Sequence, residues 1–378
     1  MCGNLELYKT VAIRVFFEFE LHELDASAHR GCPICRLLRE GLAQFEPYIG
    51  DIDSIRRLCV HGRSATAQEG IRLHVFFEDD RPSLKLEFFL SASECRPIVR
   101  ETKLQALGFR TSLRITGNRD SDEALSWLRA RLDTCCKLHK LCNSTEQSLL
   151  PSRVVYIGQS TSDQSVRLIE TTGETGRYAC LSHCWGGVRS LTTERATLHL
   201  RREGMAWETL PKTFQDTIPF LRKLDIKYIW IDSLCIVQDD ERDWHQESGK
   251  MAPIYRGAYL TVAAIGASRD APGCFEDSNA NQDYELMVDA EKDGRCSIFV
   301  RKQIPHWGAP SSLTKENPFP LLRRAWIYQE RMLSPRVIHL HKRELIWECM
   351  ELVACECGEM NTGMQRKLRM HSQLSSAM

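Results

Sequence analysis

Four side chains in the first 142 residues have the types and spacing of metal ligands. Cys32 and Cys35 form a CxxC, and His139 and Cys142 form an HxxC. Together they make a Cys3His set that can close a zinc tetrahedron between two helices. The same positions fall on apolar stripes, where a thiol packs as a small hydrophobe and an imidazole takes one hydrogen bond. The ligand and core readings both stand at this stage. A second group lies further on, in Ser182-His183-Cys184-Trp185-Gly186-Gly187 and Asp232-Ser233-Leu234-Cys235. Asp232 ends an apolar run, where a carboxylate must be solvated or paired. It either accepts hydrogen bonds from the Trp185-Gly186 turn or touches a ligand directly. Gly186-Gly187 permits a tight turn and close backbone approach but carries no phosphate-binding fingerprint. His183 and Cys184 are neighbours on an extended chain and point to opposite faces, so they do not make a nucleophile–base pair.

The elements that must position these groups follow from hydrophobic periodicity. Leu24, Ala28, Cys32, Cys35, Leu38 and Leu42 fall near one helical face. IRLHVFF and LKLEFFL flank a turn and read as a β-hairpin over about 71–90. A helix starts at Asp120 or Ser121 and runs to about Cys142, with Ala124, Leu128, Leu132, Cys135 and His139 on its stripe. Beyond residue 177, apolar strands alternate with helices. YACLSHC, IKYIWID and YLTVAAIGA are strands, a helix spans about 211–224 with a kink expected at Pro219, and a longer helix is weakened at Gly249. Residues 268–318 are polar and read as a surface excursion, after which LLRRAWIYQERML is helical and two strands follow. Such alternation implies an α/β protein with a mainly parallel sheet. An N-terminal α+β cap is expected over 1–150, a core domain over 151–352 and a polar, disordered tail over 353–378. The ends of the three strands should converge on one rim, where open parallel sheets bind ligands.

The 378 residues carry 50 Lys+Arg and 50 Asp+Glu, and 43% are hydrophobic. A neutral balance argues against a nucleic-acid binder, which concentrates positive charge. No apolar run is long enough for a membrane span. The sixteen cysteines are thinly spread, and without an export signal they read as reduced thiols of a cytoplasmic protein.

The segments YACLSHCWGG, LPKTFQDTIPFLRKLDIKYIWIDSLCIVQDD, IYRGAYLTVAA and RAWIYQERMLSPRVIHLHKRELIWEC, in this order, resemble the fungal heterokaryon incompatibility (HET) family. GCPICRLL and WLRARLDTCCKLHKLC upstream are similar to its leader, and His183 stands where the family usually has Tyr. The resemblance implies a role in non-self recognition and programmed cell death, acting through protein partners or self-association. It also implies a distant likeness to flavodoxin-like TIR domains, some of which cleave NAD with a Trp and, four residues later, a catalytic Glu. Trp326 and Glu330 have that spacing, which on a helix sets ring and carboxylate on one face to line one cavity. Under that reading NAD is the substrate, Glu330 the catalytic carboxylate, and Trp185 or Trp326 a stacking surface. The plainer alternative pairs Glu330 with Arg324, Arg331 or Arg336.

Overall fold

The structure, a computed structural model, describes residues 15–62, 71–78, 83–91, 109–115, 118, 120–142, 147–158, 165–184, 191–265, 273–274, 283–290, 294–307, 319, 321–323, 325–341 and 343–363. Trp185, Gly186, Gly187 and Arg324 lie outside the described residues. Contacts divide the chain into two compact units. One comprises Met1–Thr116, Asn279–Lys315 and Cys357–Glu359, the other Gly117–Ser278, Glu316–Glu356 and Met360–Met378. Where the sequence suggests a boundary near 150, the contacts thus group 117–150 with the second unit.

The first unit holds a seven-stranded sheet in the order Val15–Phe19, Ile55–Gly62, Arg72–Phe77, Leu84–Ser91, Gly294–Lys302, Tyr284–Ala290, with Arg110–Ser112 alongside Leu84–Ser91. The hairpin expected at 71–90 is formed in antiparallel register, Arg72 opposite Glu87 and Val75 opposite Leu84. Helix Pro33–Ala43 turns Cys35, Leu38 and Leu42 into a core shared with Leu58, Val75, Leu86 and Phe88. Residues 268–318 are more than a surface excursion. They contain a second hairpin, Tyr284–Ala290 with Gly294–Lys302, which pairs with Leu84–Ser91. Its Leu286, Ile298 and Val300 enter the same core, so burial of those three side chains recruits an otherwise polar stretch.

The second unit is built on a nine-stranded sheet. In chain order its strands are β1 (Arg153–Tyr156), β2 (Arg167–Glu170), β3 (Tyr178–Ser182), β4 (Tyr228–Trp230), β5 (Leu260–Ala263), β6 (Arg336–Leu340), β7 (Leu345–Cys349), β8 (Leu352–Cys355) and β9 (Asn361–Gly363). Across the sheet they run β9-β8-β7-β6-β5-β3-β4-β1-β2. The expectation of a mainly parallel sheet is corrected here. Only β4-β3-β5-β6 are parallel, and antiparallel pairs flank them on both sides. Parallel neighbours need a crossover of a dozen residues or more, which the chain supplies between β3, β4, β5 and β6. The links after β6, β7 and β8 are tight turns, which allow only hairpins. β9 and all of β8 but Leu352 fall where a disordered tail is expected; they are ordered because they complete the ladder onto β7.

The helices of this unit are α1 (Asp122–Leu138), α2 (Lys212–Arg222), α3 (Glu241–Ser248), α4 (Met251–Gly257) and α5 (Ala325–Leu333). Ser121 caps α1 by accepting from the Ala124 N–H at 3.2 Å, while the helix stops at Leu138 and a short 3-10 turn carries on to Cys142. Pro211 caps α2, which continues through Pro219 as one helix. Gly249 and Lys250 separate α3 from α4, as a glycine in that position favours. Among the described residues, no helix is long and apolar enough to cross a membrane.

Candidate functional site

Register settles which side chains share a face of the sheet. Trp230, Cys180, Thr261, Val337 and Glu348 form one cross-strand row, and Ser182, Ala263, His339 and Ile346 form the row two residues on. Residues two apart along a strand point the same way, so both rows lie on one face. Helices α4 and α5 pack against each other over it. Ser334, just past α5, donates to the Glu330 carbonyl and lies 2.7 Å from Thr261 Oγ1.

Beneath α5 this face is polar. Glu330 is only 6% exposed and shares a hydrogen bond with the Tyr255 hydroxyl of α4. Tyr255 is buried, its ring edge-on to Trp230 at 5.7 Å. Burial pushes the Tyr255 hydroxyl well above its ordinary pKa, with the Glu330 carboxylate, Cys180 and Asp232 adding to the shift. The Cys180 thiol is raised in the same way, first by burial and then by Glu330, Cys235 and Asp232. The charges of Glu330 and Asp232 thus both disfavour ionisation of Cys180 and Tyr255. Beside them, Glu348 accepts from Arg331 Nε at 2.7 Å and pairs with His339 Nε2 at 2.8 Å, with His339 and Glu348 fully buried. Glu330 thus faces Tyr255, while Arg331 on the same helix goes to Glu348.

The remaining expected site residues are placed as follows. Ser182 is buried at the end of β3, and its carbonyl accepts from the Ala264 N–H at 2.9 Å. The His183 ring meets Phe214 of α2 edge-on at 5.3 Å, and Cys184 is half-buried. Asp232 opens a single turn, Asp232–Cys235, with its Oδ1 accepting from the Ser233 N–H at 2.8 Å. Thr193 binds this turn twice, through N–H to Ser233 O and Oγ1 to Leu234 O. Trp326 corrects the expectation of a shared cavity. It is 64% exposed whereas Glu330 is buried. The last turns of α5 anchor the helix through Glu330 and Ser334, while Trp326 and Tyr328 near its start face solvent. Sequence reasoning did not find Tyr255, Cys180, His339 or Glu348. The signal was there for two of them, since RVIHL and LIWEC are apolar strands interrupted by an ionisable residue.

On the opposite face of the sheet, α1 packs against β7. Here the expected zinc set is redrawn. Cys35 is sequestered in the core of the first unit, with Cys32 packed against that core. The donors that meet His139 and Cys142 are Cys135 and Cys349. Cys349 receives thiol hydrogen bonds from Cys135 and Cys142, which hold its own thiol well below the ordinary value.

The fold and the polar layer define an α/β protein in which Glu330 of α5 and Glu348 of β7 are buried beside the parallel strands. Residues 178–330 match the family model described as "Heterokaryon incompatibility protein (HET)", and this segment, from β3 to Glu330 in α5, belongs to that family. Comparisons with curated proteins and with solved structures returned no match.

Proposed function

We propose that the chain acts in fungal heterokaryon incompatibility, as a cytoplasmic non-self recognition module that drives cell death through protein contacts or self-association. The observation that carries this reading is the family match over 178–330. The surface of α5 supports it. Trp326 and Tyr328 are 64% and 43% exposed, while Glu330 on the same helix is turned inward. Large aromatics are the side chains that anchor protein interfaces. Regulated expression in a filamentous fungus tests the proposal. Wild type should arrest growth, and the double variant Trp326→Ala/Tyr328→Ala should relieve the arrest without lowering the melting temperature. Normal growth of cells accumulating folded wild type would reject it.

A second reading, NAD cleavage of the TIR kind, is favoured by the burial of the Glu330 carboxylate where α5 packs against α4 over the parallel strands. The parallel strands follow the order β4-β3-β5-β6, and ligands of doubly wound sheets sit where such an order reverses, between β3 and β5. In this reading Glu330 stabilises the oxocarbenium charge as the nicotinamide–ribose bond breaks, and water adds to the ribose, giving nicotinamide and ADP-ribose. Purified protein, free and artificially clustered, should then deplete NAD, and Glu330→Gln should abolish the depletion. Unchanged NAD in both states eliminates this reading and leaves the first intact.

A further inference from the structure

We propose that Cys135, His139, Cys142 and Cys349 bind one zinc ion in a closed tetrahedral site that fastens the end of α1 to β7. Their four donor atoms all lie within 4.8 Å of one another. Zinc–sulfur and zinc–nitrogen bonds of about 2.3 and 2.0 Å imply tetrahedral edges of about 3.5–3.8 Å. Cys349 Sγ already stands 3.3 Å from His139 Nδ1. A small inward adjustment of the thiols completes the tetrahedron. With four protein ligands there is no open position, so the site is structural and not catalytic.

Three segments deliver the ligands, and each is held by bonds that do not involve the metal. Cys135 lies in the last turn of α1, and the His139 N–H continues the helical pattern to the Cys135 carbonyl. His139 and Cys142 frame the 3-10 turn, whose Leu141 N–H donates to Glu351 at 2.8 Å. Cys349 ends β7, opposite Arg336 in β6. Arg336 Nη2 donates to the Cys142 carbonyl at 3.0 Å and Nη1 to the Tyr259 carbonyl at 3.1 Å. The geometry is therefore preorganised around the donors. Electrostatics agree. Three thiolates, one neutral imidazole and Zn2+ carry a net single negative charge, which needs compensation when buried. The guanidinium of Arg336, itself buried, bonds directly to the loop that carries one ligand. A purely apolar reading explains each thiol singly but not the meeting of three with an imidazole, from sites 210 residues apart.

The test is metal analysis of the full chain purified without chelators, with cobalt exchange as the second readout. Wild type should hold one zinc per chain, and cobalt-loaded protein should show the visible bands of tetrahedral thiolate coordination. Cys349→Ser and Cys135→Ser should lose the metal, whereas the double variant Cys32→Ser/Cys35→Ser should retain it in full. Should the single variants fail to fold, the wild-type cobalt spectrum still decides. Folded wild type with substoichiometric zinc and no tetrahedral cobalt spectrum overturns the proposal, in favour of packed thiols or a disulfide. Loss of metal in the Cys32/Cys35 variant with retention in Cys349→Ser overturns it equally.

Discussion

Gly257, the last residue of α4, shows how tightly the polar layer is drawn together. A Cβ there would stand 2.7 Å from the Tyr178 hydroxyl oxygen, which donates to the Ile254 carbonyl at 2.6 Å. Tyr178 is buried in β3, so its ring cannot swing aside. Gly257→Ala should therefore destabilise the protein by about 1–3 kcal/mol, the usual range for overpacking a filled core. Denaturant titration measures this, and adding Tyr178→Phe should recover part of the loss through direct coupling of the two sites. The same close approach places α4 where Tyr255 reaches Glu330. A glycine chosen for contact distance thus serves the site without touching it.

At the scale of elements, the hairpin Tyr284–Lys302 is held to the first sheet by more than its ladder. Arg301 is fully buried beside Glu87 and Asp283, with Nη2 donating to Ser112 Oγ at 3.0 Å and its guanidinium 4.3 Å from the Phe89 ring centre. Burial works against the guanidinium charge, but the Glu87 and Asp283 carboxylates outweigh it and keep Arg301 protonated. Replacing one partner strands the others. Arg301→Met should cost about 3–5 kcal/mol, whereas Arg301→Met combined with Glu87→Leu should restore much of it. Urea unfolding of the two variants distinguishes them; equal losses would refute the ion-pair account. Nothing in the composition of 268–318 announces this role, because partner and hairpin lie far apart in the chain.

For the molecule as a whole, buried weak acids tie stability to pH. Burial raises the Cys235 thiol from 9.0 to about 12. With burial again the leading cause, the Tyr259 hydroxyl rises from 10.0 to about 12. Both groups stay protonated in the folded state after the unfolded chain has released its protons. Their contribution is present in full below pH about 9 and is lost as pH rises towards about 12. The denaturation midpoint should fall steadily between pH 8.5 and 10.5, with a shallower fall in Cys235→Ala. A flat midpoint over that window would exclude the linkage.

Local periodicity was enough to find the strands β3, β4 and β5, the hairpin at 71–90 and the Ser121 cap, because alternation and capping depend on neighbours in the chain. Asp232, His139 and Cys142 were legible as chemistry-bearing residues for the same reason, as polar or soft side chains at fixed spacing in apolar elements, whereas Glu330 was singled out through the family resemblance. Their partners were not. Pairing of β7, β8 and β9 by short turns made the sheet mixed, and that pairing brought Cys349 to His139 and Glu348 to His339. Which thiols meet, and whether Glu330 looks inward while Trp326 looks out, depend on packing between distant segments. Composition and spacing specify which residues can react; only tertiary burial selects the companions and the dielectric in which they do so.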